Sequence, residues 1–113
     1  MNRSDLERNA RKAGALLKSM ANERRLLILC NLAQGEKSVG ELEELVGLSQ
    51  SALSQHLARL RRDRLVGTRR AAQTIYYSLS GREAGAIMET LYSLYCDPVP
   101  APVPAKAAAT VDA

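Results

Sequence analysis

The sequence predicts one mainly α-helical domain that carries a small β-hairpin. Three observations lead to this fold class. Apolar residues recur at helical spacing through most of residues 5–62 and again over residues 82–95. A short glycine-containing turn separates two of these helices. Over residues 65–79, β-branched residues and tyrosines replace the helical pattern and indicate two strands.

The first two helices are predicted over residues 5–20 and from residue 23 to near Gly35. The first carries a narrow apolar stripe among basic residues. Asn22 is a suitable N-cap for the second helix. Because the second helix is apolar nearly all round, it should be the most buried helix of the domain.

The next two helices form a helix-turn-helix pattern. Ser38 and Glu41 have the spacing of a capping box at the start of a short helix, and Gly47 is a suitable residue to end it. Ser49 can then cap the following helix. That helix has a leucine face for the core, formed by Leu53, Leu57 and Leu60.

The second half of the chain adds a hairpin and a last helix. Strands are expected over residues 65–68 and 74–79, with residues 69–73 as the basic hairpin tip, which makes the fold a winged helix-turn-helix. A helix is predicted from Gly81 or Arg82 to Tyr95. Residues 1–96 should therefore form the domain. Residues 97–113 carry alternating prolines and an alanine-rich end, and should be a disordered tail.

The helix after Ser49 has a surface suited to double-stranded DNA. Its exposed face starts with short uncharged donors and acceptors, which suit base edges in a major groove. Arginines follow, which suit phosphates, and the net charge of the chain is +4. An ordinary solvated helix end is the alternative for Arg61 and Arg62. The predicted DNA contacts are Ser38, Gln50, Ser51, Ser54, Gln55, Arg59, Arg62, Arg69, Arg70 and Gln73.

The first and last helices carry more apolar surface than one small domain of this kind needs. We interpret both stripes as the interface of a homodimer. A two-fold symmetric protein suits a palindromic DNA site. The alternative is that the two helices complete the core of the monomer.

The sequence argues against a membrane protein. No apolar run reaches the ~18 residues of a membrane span, and the first residues lack the apolar segment of a signal peptide. A cytoplasmic protein is therefore expected, with Cys30 and Cys96 normally reduced.

The sequence also argues against an enzyme. Two cysteines could belong to a thiol oxidoreductase, but such enzymes usually have Cys-x-x-Cys at a helix start. No catalytic residue and no cofactor are predicted, and His56, the only histidine, is expected to be a packed side chain. A domain used only for protein contacts is a further alternative, which the arginine cluster and polar helix start oppose.

Four blocks of the sequence resemble the ArsR family of bacterial winged helix-turn-helix repressors. They are residues 21–29, 38–42, 47–57 and 69–77, and they occur in the order and spacing of that family. The resemblance covers residues 10–96. It implies a homodimer that binds operator DNA and releases it, or changes its grip, when an inducer binds.

The cysteines distinguish branches of that family. Ser38 and Gly40 stand where one metal-sensing subgroup has Cys-x-Cys, and the last helix lacks the histidines of another, so no metal site is expected. The positions of Cys30 and Cys96 are similar to the redox and reactive-sulfur-sensing branch. This implies that a persulfide or oxidant bridges them by a disulfide or polysulfide. The alternative is a regulator with structural cysteines and a different inducer, metal or none, because a lone cysteine in an apolar helix is commonly an inert core residue.

Overall fold

The computed structural model of the chain describes residues 1–96, and the expected disordered tail lies outside the described residues. This part of the chain consists of five helices and one three-stranded antiparallel sheet, so the predicted mainly α fold with a hairpin wing is confirmed. The elements are α1 (Arg3–Met20), α2 (Glu23–Ala33), β1 (Lys37–Ser38), α3 (Val39–Val46), α4 (Gln50–Arg62), β2 (Val66–Ala71), β3 (Thr74–Leu79) and α5 (Arg82–Tyr95).

Side-chain caps fix the starts of the first two helices. The α1 helix begins at Arg3, earlier than predicted, because Asn2 and Asp5 form a capping box that the apolar pattern does not reveal. Asn22 caps α2 as predicted, and its side-chain oxygen accepts hydrogen bonds from the backbone N–H groups of Arg24 and Arg25. These caps provide partners for backbone donors that a helix start leaves unpaired.

The helix-turn-helix has the caps and the turn that the sequence predicts. The Ser38 N–H donates to a Glu41 carboxylate oxygen at 2.9 Å, and the Glu41 N–H donates to the Ser38 hydroxyl at 3.1 Å. Gly47 ends α3 at φ +72°, a left-handed conformation that suits glycine. The Ser49 hydroxyl accepts from the Ala52 N–H at 3.2 Å and starts α4.

The wing is longer in its strands and shorter in its tip than the sequence predicts. Arg69 and Arg70 lie in β2 and not in the hairpin tip, because the ladder continues until Ala71 pairs with Thr74. Ala72 and Gln73 alone connect the strands, and the φ of +57° at Ala72 allows this tight turn. The central strand β3 also pairs with β1, which is too short to show a sequence pattern.

A C-terminal motif without glycine joins α4 to the wing. The Leu65 N–H donates to the Leu60 carbonyl at 2.9 Å, and the Arg64 N–H donates to the Arg61 carbonyl at 3.0 Å. This is the Schellman pattern, in which glycine usually occupies the left-handed position, but here Arg64 adopts φ +65°. Leu60 and Leu65 are both buried, so the motif anchors the wing directly to the core.

The core lies between α2, α3, α4, α5 and the start of β2. It is formed by Met20, Ile28, Leu29, Leu32, Leu42, Val46, Leu53, Leu57, Leu60, Leu65, Val66, Ala84 and Met88. The α2 helix buries Ile28, Leu29 and Leu32. Its opposite side is more open, since Leu26 and Cys30 are half-buried and Leu27 is exposed. The second apolar face of α2 therefore remains open for a functional role.

The terminal helices expose apolar side chains that the monomer core does not use. The α1 helix buries only Ser19 and Met20, whereas Leu17 is exposed. On α5, Leu94 and Tyr95 are exposed as well. Among residues 1–96, no helix is both long and apolar enough to cross a membrane.

Candidate nucleic-acid interface and thiol pocket

The outer face of α4 begins with polar side chains. The inner face of this helix is fixed by Leu53, Leu57 and Leu60, all of which are buried. The predicted base-reading residues lie away from them and are all exposed: Gln50, Ser51, Ser54 and Gln55. The first turn of α4, which follows the Ser49 cap, contains no acidic residue.

The basic end of α4 is partly neutralised. The Arg59 Nε donates to an Asp63 carboxylate oxygen at 3.2 Å, and Arg62 Nε lies 3.7 Å from the other oxygen. Arg61 is exposed and has no ion pair within the described residues. Arg62 keeps most of its side chain in solvent, whereas Arg59 is held more closely. Arg61 and Arg62 are therefore the more available cations on this helix.

A groove connects α4 to the wing. It has a volume of about 490 Å³ and is lined by Val39, Ser54, Leu57, Ala58, Arg61, Arg62 and Tyr77. The groove brings the polar start of α4, its basic end and strand β3 onto one surface. Tyr77 and Val39 were not among the predicted contact residues, because their apolar sequence context resembles that of core positions.

The wing residues differ in how free they are. Arg69 donates from Nε and Nη2 to the two carboxylate oxygens of Glu36, each at 2.7 Å. Arg70 and Gln73 are exposed, and Arg70 forms no ion pair with any residue in the described range. Ser38 is half-buried, and its hydroxyl serves the α3 capping box. Sequence reasoning missed Glu36, because its partner is 33 residues away and no local pattern links them.

His56 lies at the edge of the buried face of α4 and is half-buried, as expected for a packed side chain. Burial, followed by the positive charge of Arg25, holds the pKa of His56 below its ordinary value. Both effects favour the neutral form of the ring. The Arg25 Nε donates to the Ser19 carbonyl at 2.6 Å and so ties the start of α2 to the end of α1.

Cys30 and Cys96 line one apolar pocket between α2 and α5. The pocket has a volume of about 320 Å³, and its walls are Glu23, Leu26, Leu27, Cys30, Met88, Leu91, Tyr92, Tyr95 and Cys96. Both thiols are free, with Cys30 half-buried and Cys96 exposed. Cys30 is thus accessible from the surface and is not enclosed in the core.

The environment of Cys30 disfavours its thiolate. Burial, and then the proximity of Cys96, raises the pKa of the Cys30 thiol above its ordinary value. Near neutral pH the thiol form dominates, which slows attack by this sulfur. A second pocket of about 400 Å³ adjoins Cys30 on the side of Gly85 and Glu89. No cluster of three or more His, Cys, Asp or Glu side chains suited to a metal occurs in residues 1–96.

Comparison with known proteins places this architecture in one family. Residues 22–68 match the family described as "Bacterial regulatory protein, arsR family". The transcriptional activator HlyU of Vibrio cholerae is 60% identical over 96 residues, which cover 85% of this chain and 89% of that protein. The structure of reduced HlyU from Vibrio cholerae covers 82% of this chain and 98% of its own, with a TM-score of 0.80 and 60% identity.

Two further structures have the same fold. The transcriptional repressor BigR from Xylella fastidiosa is 40% identical and has a TM-score of 0.77, over 86% of this chain and 99% of that chain. A homodimeric winged helix-turn-helix DNA-binding domain from Mycobacterium bovis is 27% identical and has a TM-score of 0.68, over 80% of this chain and 83% of that chain.

Relatives of this kind are named as regulators and not as enzymes, which agrees with the prediction that the chain is not an enzyme. The matches also agree with the predicted family resemblance and with the winged helix-turn-helix fold. The chain belongs to the ArsR family of bacterial regulatory proteins and is a DNA-binding regulator of transcription.

Proposed function

We propose that the chain acts in the cytoplasm as a homodimer that binds operator DNA and loosens or changes its grip when Cys30 and Cys96 are oxidised. The observation that carries the redox part is the shared pocket: two free thiols from distant parts of the chain line the same apolar walls. A pair of structural cysteines has no need of such an arrangement.

The DNA-binding part rests on the outer surface of α4 and the wing. A dimer presents two α4 helices to successive major grooves about 34 Å apart. Gln50, Ser51, Ser54 and Gln55 are exposed at the start of this helix and reach base edges. Backbone contacts are proposed for Ser38, Arg59, Arg62, Arg70 and Gln73. Arg69, which the sequence also predicts as a contact, is not included, because both carboxylate oxygens of Glu36 already hold its guanidinium. Exposure favours Arg62, Arg70 and Gln73, whereas Ser38 and Arg59 first have to exchange their present partners.

The dimer part rests on unused apolar surface. Leu6 and Leu17 on α1, and Leu94 and Tyr95 on α5, are all more than half exposed. Burying such side chains is worth about 25 cal/mol per Å² of apolar area. The homodimeric domain from Mycobacterium bovis, which has the same fold, supports this arrangement.

The proposed redox chemistry balances with a persulfide or a peroxide as the oxidant. In forming a disulfide, the two thiols lose two protons and two electrons. An organic persulfide accepts them and leaves as a thiol and hydrogen sulfide, whereas hydrogen peroxide leaves as two waters. A second persulfide can first transfer its outer sulfur to one cysteine thiol and leave as a thiol. The first persulfide, or hydrogen peroxide, then takes two protons and two electrons from the resulting cysteine persulfide and the other thiol, and the bridge is a trisulfide. A direct disulfide needs a Cα–Cα separation of about 4.4–6.8 Å, and extra sulfur atoms span longer distances.

The bridge controls DNA binding through α5. Linking Cys96 to Cys30 draws the end of α5 toward α2, and the exposed side of α5 belongs to the proposed dimer interface. The two α4 helices then shift relative to each other and no longer fit successive grooves. Allosteric couplings are typically about 1–3 kcal/mol, which corresponds to roughly 5- to 150-fold in affinity.

Mapping the bridge tests the proposal. The reduced protein is treated with an organic persulfide or with hydrogen peroxide, digested, and analysed by mass spectrometry without reduction. The expected result is a Cys30–Cys96 link within one chain, with or without added sulfur. If both thiols remain alkylatable after treatment, the sensing role is wrong.

A second candidate function is a regulator of the same family with structural cysteines and a different inducer. The raised pKa of the Cys30 thiol favours it, because a protonated thiol reacts slowly. Replacing either cysteine with serine separates the two candidates. Structural cysteines predict weaker DNA binding in both variants, whereas sensing cysteines predict normal binding and no response to oxidant.

A further inference from the structure

The ion pair between Arg69 and Glu36 reaches across the wing. Glu36 directly precedes β1 at one edge of the sheet, and Arg69 lies in β2 at the other edge. Both guanidinium–carboxylate contacts are 2.7 Å long, so the pair has the bidentate geometry that gives arginine its strongest carboxylate contacts. Each group stabilises the charged form of its partner: the hydrogen bond lowers the pKa of Glu36 and raises the pKa of Arg69.

Tyr76 completes this arrangement beneath the pair. It lies in the central strand β3, opposite Arg69 on one side and opposite Ser38 on the other. The Arg69 guanidinium carbon lies 4.5 Å from the centroid of the Tyr76 ring, within the range of a cation–π contact. Side chains therefore connect the residue before β1 to β2, and β2 to β3, in addition to the backbone ladder.

The next residue is placed differently. Successive side chains of a strand point to opposite faces, so Arg70 faces away from this arrangement. Arg70 lies opposite Ile75, is exposed, and has no ion pair among residues 1–96. The two neighbouring arginines thus differ in availability: one is neutralised by a carboxylate, and the other is a free cation.

We infer that Arg69 is a positioning residue that clamps the wing to the segment before α3, and that Arg70 delivers the wing's charge to a DNA phosphate. The inference rests on the proposed DNA binding. The clamp has a direct connection to the helix-turn-helix, because Ser38 follows Glu36 by two residues and caps α3. The ion pair between Arg69 and Glu36 therefore fixes the position of the hairpin relative to α3 and α4.

Charge and geometry make opposite predictions for Glu36→Gln. Removing a negative charge strengthens binding to phosphates if electrostatics alone decides. If the ion pair with Glu36 positions the wing, the same substitution weakens binding. A wing without this ion pair is less ordered in the DNA-free protein, and ordering it on binding costs free energy. The sign of the change in affinity is therefore the informative quantity.

The experiment measures affinity as a function of salt. The probe is a labelled duplex of DNA from immediately upstream of the chain's own gene, titrated by fluorescence anisotropy over several salt concentrations. The variants are Glu36→Gln, Arg69→Ala, Arg69→Lys, Arg70→Ala and the double variant Glu36→Gln/Arg69→Ala. Glu44→Gln is the matched charge control, since Glu44 is exposed on α3 and forms no ion pair within residues 1–96. Circular dichroism confirms that each variant is folded.

If Arg69 and Glu36 act as a clamp, plots of log affinity against log salt for the variants of these two residues should be parallel to the plot for the unaltered protein. Glu36→Gln, Arg69→Ala and Arg69→Lys each weaken binding by roughly two- to five-fold at every salt concentration, the scale expected for an exposed ion pair. The double variant is no weaker than the singles. Arg70→Ala instead flattens the plot of log affinity against log salt by about 0.9 for each phosphate that the variant no longer neutralises. Glu44→Gln leaves binding unchanged or strengthens it slightly.

Other outcomes overturn the inference. If Glu36→Gln strengthens binding, or Arg69→Ala flattens the salt plot while Arg69→Lys does not, Arg69 is a phosphate contact and not a clamp. If Arg70→Ala leaves the slope unchanged, Arg70 is not the phosphate contact. If the unaltered protein binds neither this probe nor a random duplex, the proposed DNA-binding function itself fails, which is a separate result from any difference among the variants.

Discussion

Cys30 on α2 and Cys96 after the last turn of α5 line the same apolar pocket of about 320 Å³. The two thiols are close enough to interact electrostatically, since Cys96 contributes, after burial, to raising the pKa of the Cys30 thiol. The helix α4, which is proposed to contact DNA, contains no cysteine. Any redox signal must therefore travel from the α2–α5 pocket to α4 through the packing of the domain.

The pKa of Cys30 gives a pH dependence with a defined sign. Because burial and then Cys96 raise this pKa, less thiolate is present at pH 7 than in an unhindered thiol. Alkylation of Cys30 by iodoacetamide should therefore be slow at pH 7 and should rise steeply only above the ordinary thiol pKa. In Cys96→Ser the inflection should move to lower pH, while burial still keeps it above the ordinary value. Peptide-level mass spectrometry at several pH values measures this. An inflection that stays in place shows that the two thiols do not interact.

The polar start of α4 should determine sequence preference. Gln55→Ala removes an exposed amide that can form a bidentate pair of hydrogen bonds to a base edge. Such a pair is worth about 1–3 kcal/mol of discrimination against the wrong base. We expect weaker binding to the operator and unchanged binding to a random duplex in a competition assay. Gln34→Ala serves as the control, since Gln34 is exposed at the end of α2. An equal loss on both duplexes would mean that Gln55 does not read sequence.

The left-handed residue after α4 should limit stability. Arg64 adopts φ +65°, where a non-glycine residue costs about 1–2 kcal/mol. Arg64→Gly should raise the free energy of unfolding in urea by roughly 1 kcal/mol. Arg61→Gly makes the same chemical change inside the last turn of α4 and should lower the free energy of unfolding by about 1 kcal/mol. Equal effects of the two substitutions would contradict the Schellman geometry.

The exposed end of α5 should hold the dimer together. Leu94 and Leu45 have matching exposure, 52% and 53%, but lie on α5 and α3 respectively. Leu94→Glu should convert the dimer into a monomer in sedimentation velocity, because it introduces a charge on each side of the proposed interface. Leu45→Glu should leave the dimer intact. If Leu94→Glu remains dimeric, α5 is not the interface.

Local signals made much of this fold predictable. The Asn22 cap, the Ser38–Glu41 box and the turn at Gly47 each involve residues within a few positions of one another, so the sequence displays them directly. The end of α4 is harder to predict from the sequence, since Arg64 occupies the left-handed position where glycine is the usual residue. The tip of the wing is hard to place for a related reason: Ala72 adopts a positive φ without belonging to the usual turn residues.

The candidate site was predictable only in part, because its elements meet through tertiary structure. The exposed polar residues of α4 follow from helical periodicity. Glu36 holds Arg69 across 33 residues of sequence, and no periodicity indicates such a pair. The pocket that unites Cys30 and Cys96 depends on how α5 packs on α2. The family resemblance suggested that pairing, and the residues alone favoured an inert core cysteine.

The central claim is that oxidation of Cys30 and Cys96 weakens the grip on operator DNA. Its most direct test is the operator affinity of one protein sample, measured by anisotropy before and after persulfide treatment and again after reduction, alongside Cys30→Ser and Cys96→Ser. The account predicts a reversible loss of roughly 5- to 150-fold in the unaltered protein and unchanged affinity in both variants. Equal affinity of the reduced and bridged protein, or an equal loss in the serine variants, would contradict it.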